Sequence, residues 1–424
     1  MPLWPGADRP AIERVIAAHE EATGSPAAHA AEAPATWSLI GEHVDHAGGV
    51  VLMALTDLRA AVAYTPRRDD LVRVTHLQTT PDGVVTTTDE ISTGVVARRA
   101  AAQQPGVDDR GRTLTPPAPE GGLAARLGGV IWTLIHRQLL SRDTAGADVT
   151  VVTDIPAEAG LGARAALEAA FALALQADAD DLDDAPMRAR LAEVCTQSAE
   201  MFSATPPLRA RHTAALRGVG DTVSAIDYAD GSVTQVPHPV TRDTAAFAVF
   251  APGPAPDESG AIRTRRRFLD SACHAFGAES LRLLPDAPQR VVEWLEAVHK
   301  VHGTDGTPAV KDAAAWLAFN QNETVRAQQL SRALRSRRAE AVWPLLADSQ
   351  AALTGPYGLS GAAELVELCR VRGAKAARAA AAGVSGAVIA YVDAGHAANF
   401  SADLAEDGLV VVPLRGGEVA AARR

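Results

Sequence analysis

One segment, residues 148–175, constrains the fold of this chain more than any other. It reads as a β-branched strand at 148–153, a turn that carries Gly160 and Gly162, and an alanine-rich helix from residue 163. In a strand–turn–helix unit of this kind, the backbone N–H groups at the start of the helix face an anion. The segment therefore predicts a phosphate-type site at the turn.

The rest of the chain mixes strand and helix patterns without the strict alternation of a parallel βαβ fold. Residues 59–64 and 222–228 are typical of strands, and residues 123–140 are typical of a helix. This arrangement favours an α+β fold over a doubly wound one.

The length of the chain, 424 residues, exceeds what one compact core usually contains, so we predict two domains. The pair Pro206-Pro207 interrupts a helical pattern and marks the boundary. We therefore expect an N-terminal domain at 1–205 and a C-terminal domain at 206–424.

Charge, hydropathy and cysteine spacing exclude several classes of partner, targeting segment and site. The net charge of −11 repels polyanions, so nucleic acid is excluded as an expected partner. The chain shows no apolar segment long enough for a signal peptide or a membrane span. The three cysteines have neither metal-ligand nor disulfide-framework spacing: Cys195, Cys273 and Cys369. We expect a cytoplasmic protein with no membrane partner.

Residues 39–49 read Leu-Ile-Gly-Glu-His-Val-Asp-His-Ala-Gly-Gly. This run resembles the signature of the galactokinase family, LIGEHxDYxGG. The resemblance implies that Glu42 and Asp45 accept hydrogen bonds from galactose hydroxyls, with His43 beside them. Carboxylates suit this task because they offer several lone pairs to adjacent hydroxyl groups. The alternative is a loop whose acidic residues merely face water.

The resemblance extends over the whole chain. Residues 197–202, Gln-Ser-Ala-Glu-Met-Phe, are similar to a family helix in which Glu200 would help to hold magnesium. Residues 345–369 are similar to a later helix pair. The resemblance implies the two-domain GHMP kinase fold, with the ligand cleft between the domains and a nucleotide site at Gly160, Leu161, Gly162 and Arg164.

The chain departs from the family pattern at the positions that the family uses for phosphate binding and catalysis. Thr36 stands where the family has an arginine, and the phosphate loop at 158–168 has lost every hydroxyl. Arg211 aligns with the catalytic aspartate, and an arginine does not accept a proton at physiological pH. The third glycine-rich motif is replaced by Ala-Ala-Gly-Val-Ser-Gly at 381–386.

The resemblance with these departures predicts a galactokinase-like protein that binds galactose or a related sugar and has weak or no kinase activity. The alternative is an active galactokinase, which transfers the γ-phosphate of ATP to the anomeric hydroxyl of galactose. ATP and magnesium are the cofactors in that case, and no cofactor is needed otherwise.

Several roles stay open for the basic residues at this site. In an active enzyme, Arg164, Arg209 and Arg211 would supply charge at the phosphates and His212 would act as a substitute base. Alternatively, the arginines form a solvated surface cluster, or Arg211 replaces the arginine missing at position 36. A sugar-sensing role is a further hypothesis, and the sequence predicts no particular protein partner.

Overall fold

The computed structural model describes residue 4 and residues 7–80, 83–104, 106–107, 113–114, 116–254 and 257–423. The strands are β1 (His29–Ile40), β2 (Val50–Pro66), β3 (Leu71–Thr80), β4 (Gly83–Ser92), β5 (Gly106–Val107), β6 (Thr113–Leu114), β7 (Ala147–Thr153), β8 (Thr222–Asp227), β9 (Ser232–Pro237), β10 (Thr244–Phe250), β11 (Ala376–Ala379), β12 (Val388–Asp393), β13 (Val410–Leu414) and β14 (Ala421–Arg423).

The helices are α1 (Ala11–Thr23), α2 (Thr93–Ala102), α3 (Leu123–His136), α4 (Ala163–Leu175), α5 (Ala185–Phe202), α6 (Arg209–Arg217), α7 (Ser259–Phe276), α8 (Ala287–His302), α9 (Val310–Arg335), α10 (Ala339–Thr354), α11 (Ala363–Val371) and α12 (Ala397–Glu406). Short 3₁₀ turns include those at Asp45–Ala47 and Ala157–Ala159. The mixture confirms the predicted α+β class.

The first sheet has the strand order β14-β1-β2-β7-β3-β4, and β8 extends it by pairing with β2 and with β9. Only β3 and β7 run parallel within it; β1, β2 and β8 pair antiparallel. The 17-residue strand β2 holds this sheet together, because it pairs with β1, β7 and β8 at different points along its length.

The second sheet is smaller and antiparallel, with the order β11-β12-β10-β13. Helices α10 and α11 pack against β11, and α12 packs against β13. This sheet brings the loop after β11 over the turn that precedes α4.

The chain crosses the predicted boundary at residue 206 more than once. Strands β8 and β9 lie after this residue and still belong to the first sheet, and β14 returns from the C-terminal end to pair with β1. The two halves of the sequence are therefore interleaved in the first sheet.

Helix α4 explains why the segment at 148–175 constrains the fold. Its residues 165–174 are all buried, and most of them are alanine. The small side chains let α4 pack closely against β1, β2 and α5, which encloses it on nearly every side. Both β7 and α4 match the predicted strand and helix.

None of the helices in the described part of the chain is long and apolar enough to cross a membrane.

Candidate functional site

The turn between β7 and α4 keeps the predicted phosphate-type geometry. Gly160 and Gly162 adopt left-handed φ angles of 65° and 74°, which residues with a Cβ rarely take. A Cβ on Gly160 would lie 2.6 Å from the carbonyl oxygen of Ala380, so the two loops can meet only at a glycine. Gly162 precedes α4 and gives it no side-chain cap, which leaves the first N–H groups of the helix to an external partner.

A cavity of about 610 Å³, which we call the phosphate cavity, opens over this turn. It is lined by residues of the turn and of α4, by the segment 203–208, and by Ala381, Val384 and Ser385. Its basic side chains are those of Arg126, Arg164, Arg211, His76 and His212. None of the described residues that line it is an aspartate or a glutamate. The cavity therefore presents guanidinium groups, which suit the oxygens of phosphate.

Arg211 lies in the first turn of α6 and is buried at the edge of this cavity, with 5% of its surface exposed. Its Nη1 donates to the carbonyl oxygen of Thr36 at 2.6 Å, and its Nη2 donates to the carbonyl oxygen of Gly160 at 2.5 Å. A Cβ on Gly162 would lie 2.7 Å from Nη1, so the guanidinium fills the space beside the turn. Arg211 is thus no part of a solvated surface cluster, and it contacts Thr36.

Glu168 is a buried carboxylate on α4 that sequence reasoning missed. Its Oε2 lies 2.7 Å from Nε2 of His212, and its Oε1 lies 2.7 Å from Nη2 of Arg126. The other ring nitrogen of His212, Nδ1, lies 3.2 Å from the hydroxyl oxygen of Thr196. Both nitrogens of His212 are therefore engaged within the protein, which leaves no free lone pair for a substrate hydroxyl.

The other two arginines considered for phosphate binding do not lie together. Arg164 is exposed on the wall of the phosphate cavity, and no hydrogen bond or ion pair of its side chain is present among the described residues. Arg209 instead pairs with Glu193 at 2.6 Å and lies 4.5 Å from the ring centroid of Tyr228. Only Arg164 and Arg211 of the three line the phosphate cavity.

Glu42, from the sugar signature, is buried and already has partners on both oxygens. Oε2 accepts from Nη1 of Arg378 at 2.9 Å, and Oε1 accepts from the backbone N–H of Ala381 at 2.9 Å. Arg378 also lies 3.5 Å from Glu323, whose Oε1 accepts from the N–H of Gly41 at 3.0 Å. This ion-pair network fastens the signature loop to β11 and α9.

His43 and Asp45 lie beside Glu42 and are equally buried. Nε2 of His43 donates to the carbonyl oxygen of Ala382 at 2.9 Å, and burial, reinforced by Arg266, lowers the pKa of His43 to about 3. His43 is therefore neutral at pH 7. Asp45 accepts from the N–H of His46 at 3.1 Å and more weakly from Ala210 at 3.4 Å.

The charge state of Asp45 is set by opposing influences. Burial raises the pKa of Asp45, but the neighbouring His46 and the guanidinium of Arg266 outweigh it and hold the pKa well below its usual range. Asp45 is thus an ionised carboxylate. Its Oδ2 accepts a hydrogen bond that is long, at 3.4 Å, so Asp45 has weaker partners within the protein than Glu42 has.

Glu200 faces a different cavity from the phosphate turn. This second cavity, of about 730 Å³, also contains His46, Asp270 and several arginines: Arg137, Arg209, Arg263, Arg266 and Arg267. It meets the phosphate cavity along the segment 203–207, and Glu200 does not line the latter. The structure therefore does not bring Glu200 and Gly160 together.

The side chains around the phosphate turn do not fit a magnesium ion. Magnesium prefers oxygen ligands, whereas residues 163–166 are Ala-Arg-Ala-Ala and offer none on their side chains. Over the residues that can be described, no group of three or more His, Cys, Asp or Glu could hold a metal ion. Phosphate groups, in contrast, fit the arginines and the helix start.

Three residues of the site escaped the sequence analysis: Arg126, Glu168 and Arg378. Arg126 and Arg378 are the single arginines of the runs 123–136 and 376–382, and Glu168 is the single acidic residue of the alanine-rich run 163–175. A charge in such a position must find a buried partner, because an unpaired charge in a core is costly. That mismatch is the signal that could have identified them.

The comparisons with known proteins agree with the signature and with the fold. The profile of the galactokinase galactose-binding signature matches residues 17–66. A galactokinase of Streptomyces coelicolor is 25% identical over 367 residues, which cover 85% of this chain and 84% of that protein. A galactokinase of Chloroflexus aurantiacus is 30% identical over 165 residues, which cover 39% of this chain and 35% of that protein.

Solved structures show the same architecture. The galactokinase of Lactococcus lactis complexed with galactose superimposes with a TM-score of 0.69 at 18% identity, over 96% of this chain and 99% of that chain. The mevalonate kinase of Methanococcus jannaschii gives a TM-score of 0.56 at 11% identity, over 93% of this chain and 99% of that chain. These similarities confirm the predicted GHMP kinase fold.

Proposed function

We propose that this chain is a galactokinase-like member of the GHMP kinases, a sugar-binding homologue with weak or no phosphoryl transfer to the sugar. The phosphate cavity would hold the nucleotide phosphates, and the signature loop would hold galactose or a related sugar. ATP, when bound, would be the phosphoryl donor. The steps that follow concern the groups that this chain offers to such a transfer.

The position and contacts of Arg211 carry this proposal. A kinase of this kind needs a carboxylate near the reacting hydroxyl, and a missing general base costs about 10²–10⁴-fold in rate. Arg211 aligns with the family aspartate and donates to two backbone carbonyls, those of Thr36 and Gly160. A permanently charged donor held in that way can orient and neutralise an anion, but it cannot take up a proton.

The surroundings of Arg211 support the same proposal. Phosphoryl transfer depends mostly on positioning and on charge neutralisation, so a lost base alone leaves a slow enzyme. Here the phosphate turn also lacks hydroxyl groups, and the predicted metal ligand Glu200 faces the second cavity. The missing base affects proton transfer, whereas the missing hydroxyl groups and the position of Glu200 affect metal binding. These effects are separate, so their costs in rate multiply.

The alternative, an active galactokinase with His212 as its base, receives no support from the contacts of this residue. A general base needs a lone pair directed at the substrate hydroxyl. Glu168 and Thr196 engage the two ring nitrogens of His212, and the side chain is 1% exposed. A substrate hydroxyl could reach a ring nitrogen of His212 only if one of these two contacts broke first.

The sugar half of the proposal rests on Asp45. Glu42 is bound by Arg378 and by the N–H of Ala381, so its oxygens are largely consumed by the fold. Asp45 keeps an ionised carboxylate with one bond of 3.4 Å, which a sugar hydroxyl could replace at little cost. Recognition of the sugar by this chain would therefore depend on Asp45 more than on Glu42.

A direct transfer assay tests the kinase half of the proposal. The full chain, at high concentration, is incubated with ATP, Mg²⁺ and galactose, and sugar phosphate is followed by ³¹P NMR. We expect no product above the protein-free control. Product that appears with the wild type and disappears in Asp45→Asn would overturn the proposal in favour of an active galactokinase.

A binding assay tests the sugar half separately. Galactose binding is measured by ligand-observed NMR on the wild type, on Asp45→Asn, and on Asp348→Asn as the matched control, since Asp348 is an exposed aspartate on α10. We expect binding to the wild type and to the control, and a loss of about tenfold or more in Asp45→Asn. Equal binding by all three proteins would remove the signature loop as the sugar site.

A further inference from the structure

The phosphate cavity concentrates positive charge that the protein itself leaves only partly balanced. Arg211 is 5% exposed, and among the described residues it contacts two neutral carbonyl groups and no carboxylate. Arg126 is 6% exposed, and its Nε has no hydrogen-bond partner among the residues described. Glu168 is the neighbouring anion, and it is shared between Arg126 and His212.

Arg164 adds a third guanidinium at the start of α4. Partial burial at the cavity wall lowers the pKa of Arg164, and the nearby charge of Arg126 lowers it further, while Glu168 opposes both. Two cations are thus held near each other next to the positive end of a helix dipole. An anion between them would relieve this repulsion.

The start of α4, which carries Arg164, offers no ligand to a metal ion. The first turn of α4 carries Arg164 between Ala163 and Ala165, with no side-chain oxygen for a hard cation. A divalent cation would also meet three guanidinium groups, and like charges repel. The residues at the start of α4 therefore favour the binding of an anion that carries no divalent metal ion.

We infer that the phosphate cavity binds a polyphosphate anion free of divalent metal, with Arg126 and Arg164 in the place of the metal ion. The inference rests on the proposed function in one respect only, namely that this cavity is the former nucleotide site. The expected effect of Mg²⁺ on binding is therefore the opposite of its effect in a metal-dependent kinase. Mg²⁺ neutralises part of the charge of the polyphosphate and so weakens the binding of the polyphosphate to this cavity.

Isothermal titration calorimetry of the full chain with inorganic tripolyphosphate and with ATP tests the inference. Each is titrated in EDTA and again in excess Mg²⁺. We expect binding in EDTA and weaker binding in Mg²⁺ for both anions. Tighter binding of ATP would add the nucleoside to the recognised group, and equal binding would assign recognition to the phosphates alone; both agree with the inference.

Two variants locate the site. Arg164 is exposed, so Arg164→Ala should fold normally, and the loss of one arginine–phosphate contact should weaken binding in EDTA about 10- to 100-fold. Arg267→Ala removes the same charge from an exposed arginine of the second cavity and should leave binding unchanged. The circular dichroism spectrum of each variant checks its folding.

Two outcomes would overturn the inference: binding that requires Mg²⁺, or binding that Arg267→Ala weakens and Arg164→Ala does not. These results are separable from the transfer assay. A chain that makes no sugar phosphate and binds tripolyphosphate only with Mg²⁺ would keep the proposed function and lose this inference. A chain that makes sugar phosphate and binds ATP best in EDTA would lose the proposed function and keep this inference.

Discussion

At the scale of single residues, Arg211 has a structural role at the edge of the phosphate cavity. Its guanidinium donates to two backbone carbonyl groups, on β1 and on the phosphate turn, and so joins these two elements. An acidic residue in this position would therefore remove structure.

We expect Arg211→Asp to destabilise the protein by about 3 kcal/mol or more, because two charge-assisted hydrogen bonds are lost and a carboxylate then faces two carbonyl oxygens. The free energy of unfolding in urea measures this. Arg217→Asp, on the same helix, is the control and should cost at most about 1 kcal/mol, because among the described residues the side chain of Arg217 bonds only to the carbonyl oxygen of Gly231, at 3.3 Å. Equal losses in the two variants would contradict the structural role of Arg211.

At the scale of secondary-structure elements, the site depends on the contact between two loops. The turn before α4 and the loop after β11 touch at Gly160 and Ala380, and the side chain of Ser385 donates to the carbonyl oxygen of Glu158 at 2.9 Å. The loop after β11 is strained, since Ala381 has a left-handed φ of 50° without being glycine. Its N–H donates to Glu42, which holds it in that conformation.

The contact between these loops predicts a difference between two glycine substitutions. Gly160→Ala and Gly24→Ala both place a Cβ on a residue with positive φ, at 65° and 69°, which costs about 1–2 kcal/mol. Only Gly160→Ala adds a clash, 2.6 Å from a backbone oxygen, whereas the Cβ at Gly24 meets no atom within 4 Å.

Urea unfolding of both glycine variants should therefore show a larger loss for Gly160→Ala, by about 1 kcal/mol or more. The same variant should also bind tripolyphosphate less tightly, because the turn shifts. If the two variants lose the same stability, the close approach of the two loops is not present in solution.

At the scale of the whole molecule, buried histidines couple stability to pH. Burial lowers the pKa of His43 to about 3 and that of His238 to about 4, and it also lowers the pKa values of His19, His46 and His76. A histidine whose folded pKa lies below its unfolded value of about 6.5 stays neutral in the fold and takes up a proton on unfolding. Its contribution to stability is complete above pH 6.5 and is lost as the pH falls.

We expect the free energy of unfolding to fall steadily between pH 7 and pH 5. His238 alone should account for about 2 kcal/mol of this loss, given its pKa of about 4. His238→Gln should therefore show a shallower pH dependence than the wild type, although its stability at pH 7 also changes because Nδ1 of His238 accepts from Val240. His302→Gln, at an exposed position, should keep the wild-type slope. Parallel slopes for the wild type and His238→Gln would exclude His238 as a source of acid sensitivity.

The sequence by itself determined the fold class and the positions of the phosphate turn and the sugar signature. These features depend on local patterns: β-branched residues in β7, the alanine-rich content of α4, and glycines where φ must be positive. The contiguous run at 39–49 carries the sugar signature without any help from distant residues.

Only the tertiary structure decided which charges meet. Arg378 and Glu42 are 336 residues apart in sequence, and Arg211 and Thr36 are 175 apart, so no local pattern relates them. The face of a helix that looks into a given cavity is also a property of packing, which is why the sequence could not show that Glu200 lines the second cavity. Long-range pairing of buried charges depends on how the elements pack, because each such charge must find its partner wherever the fold brings one.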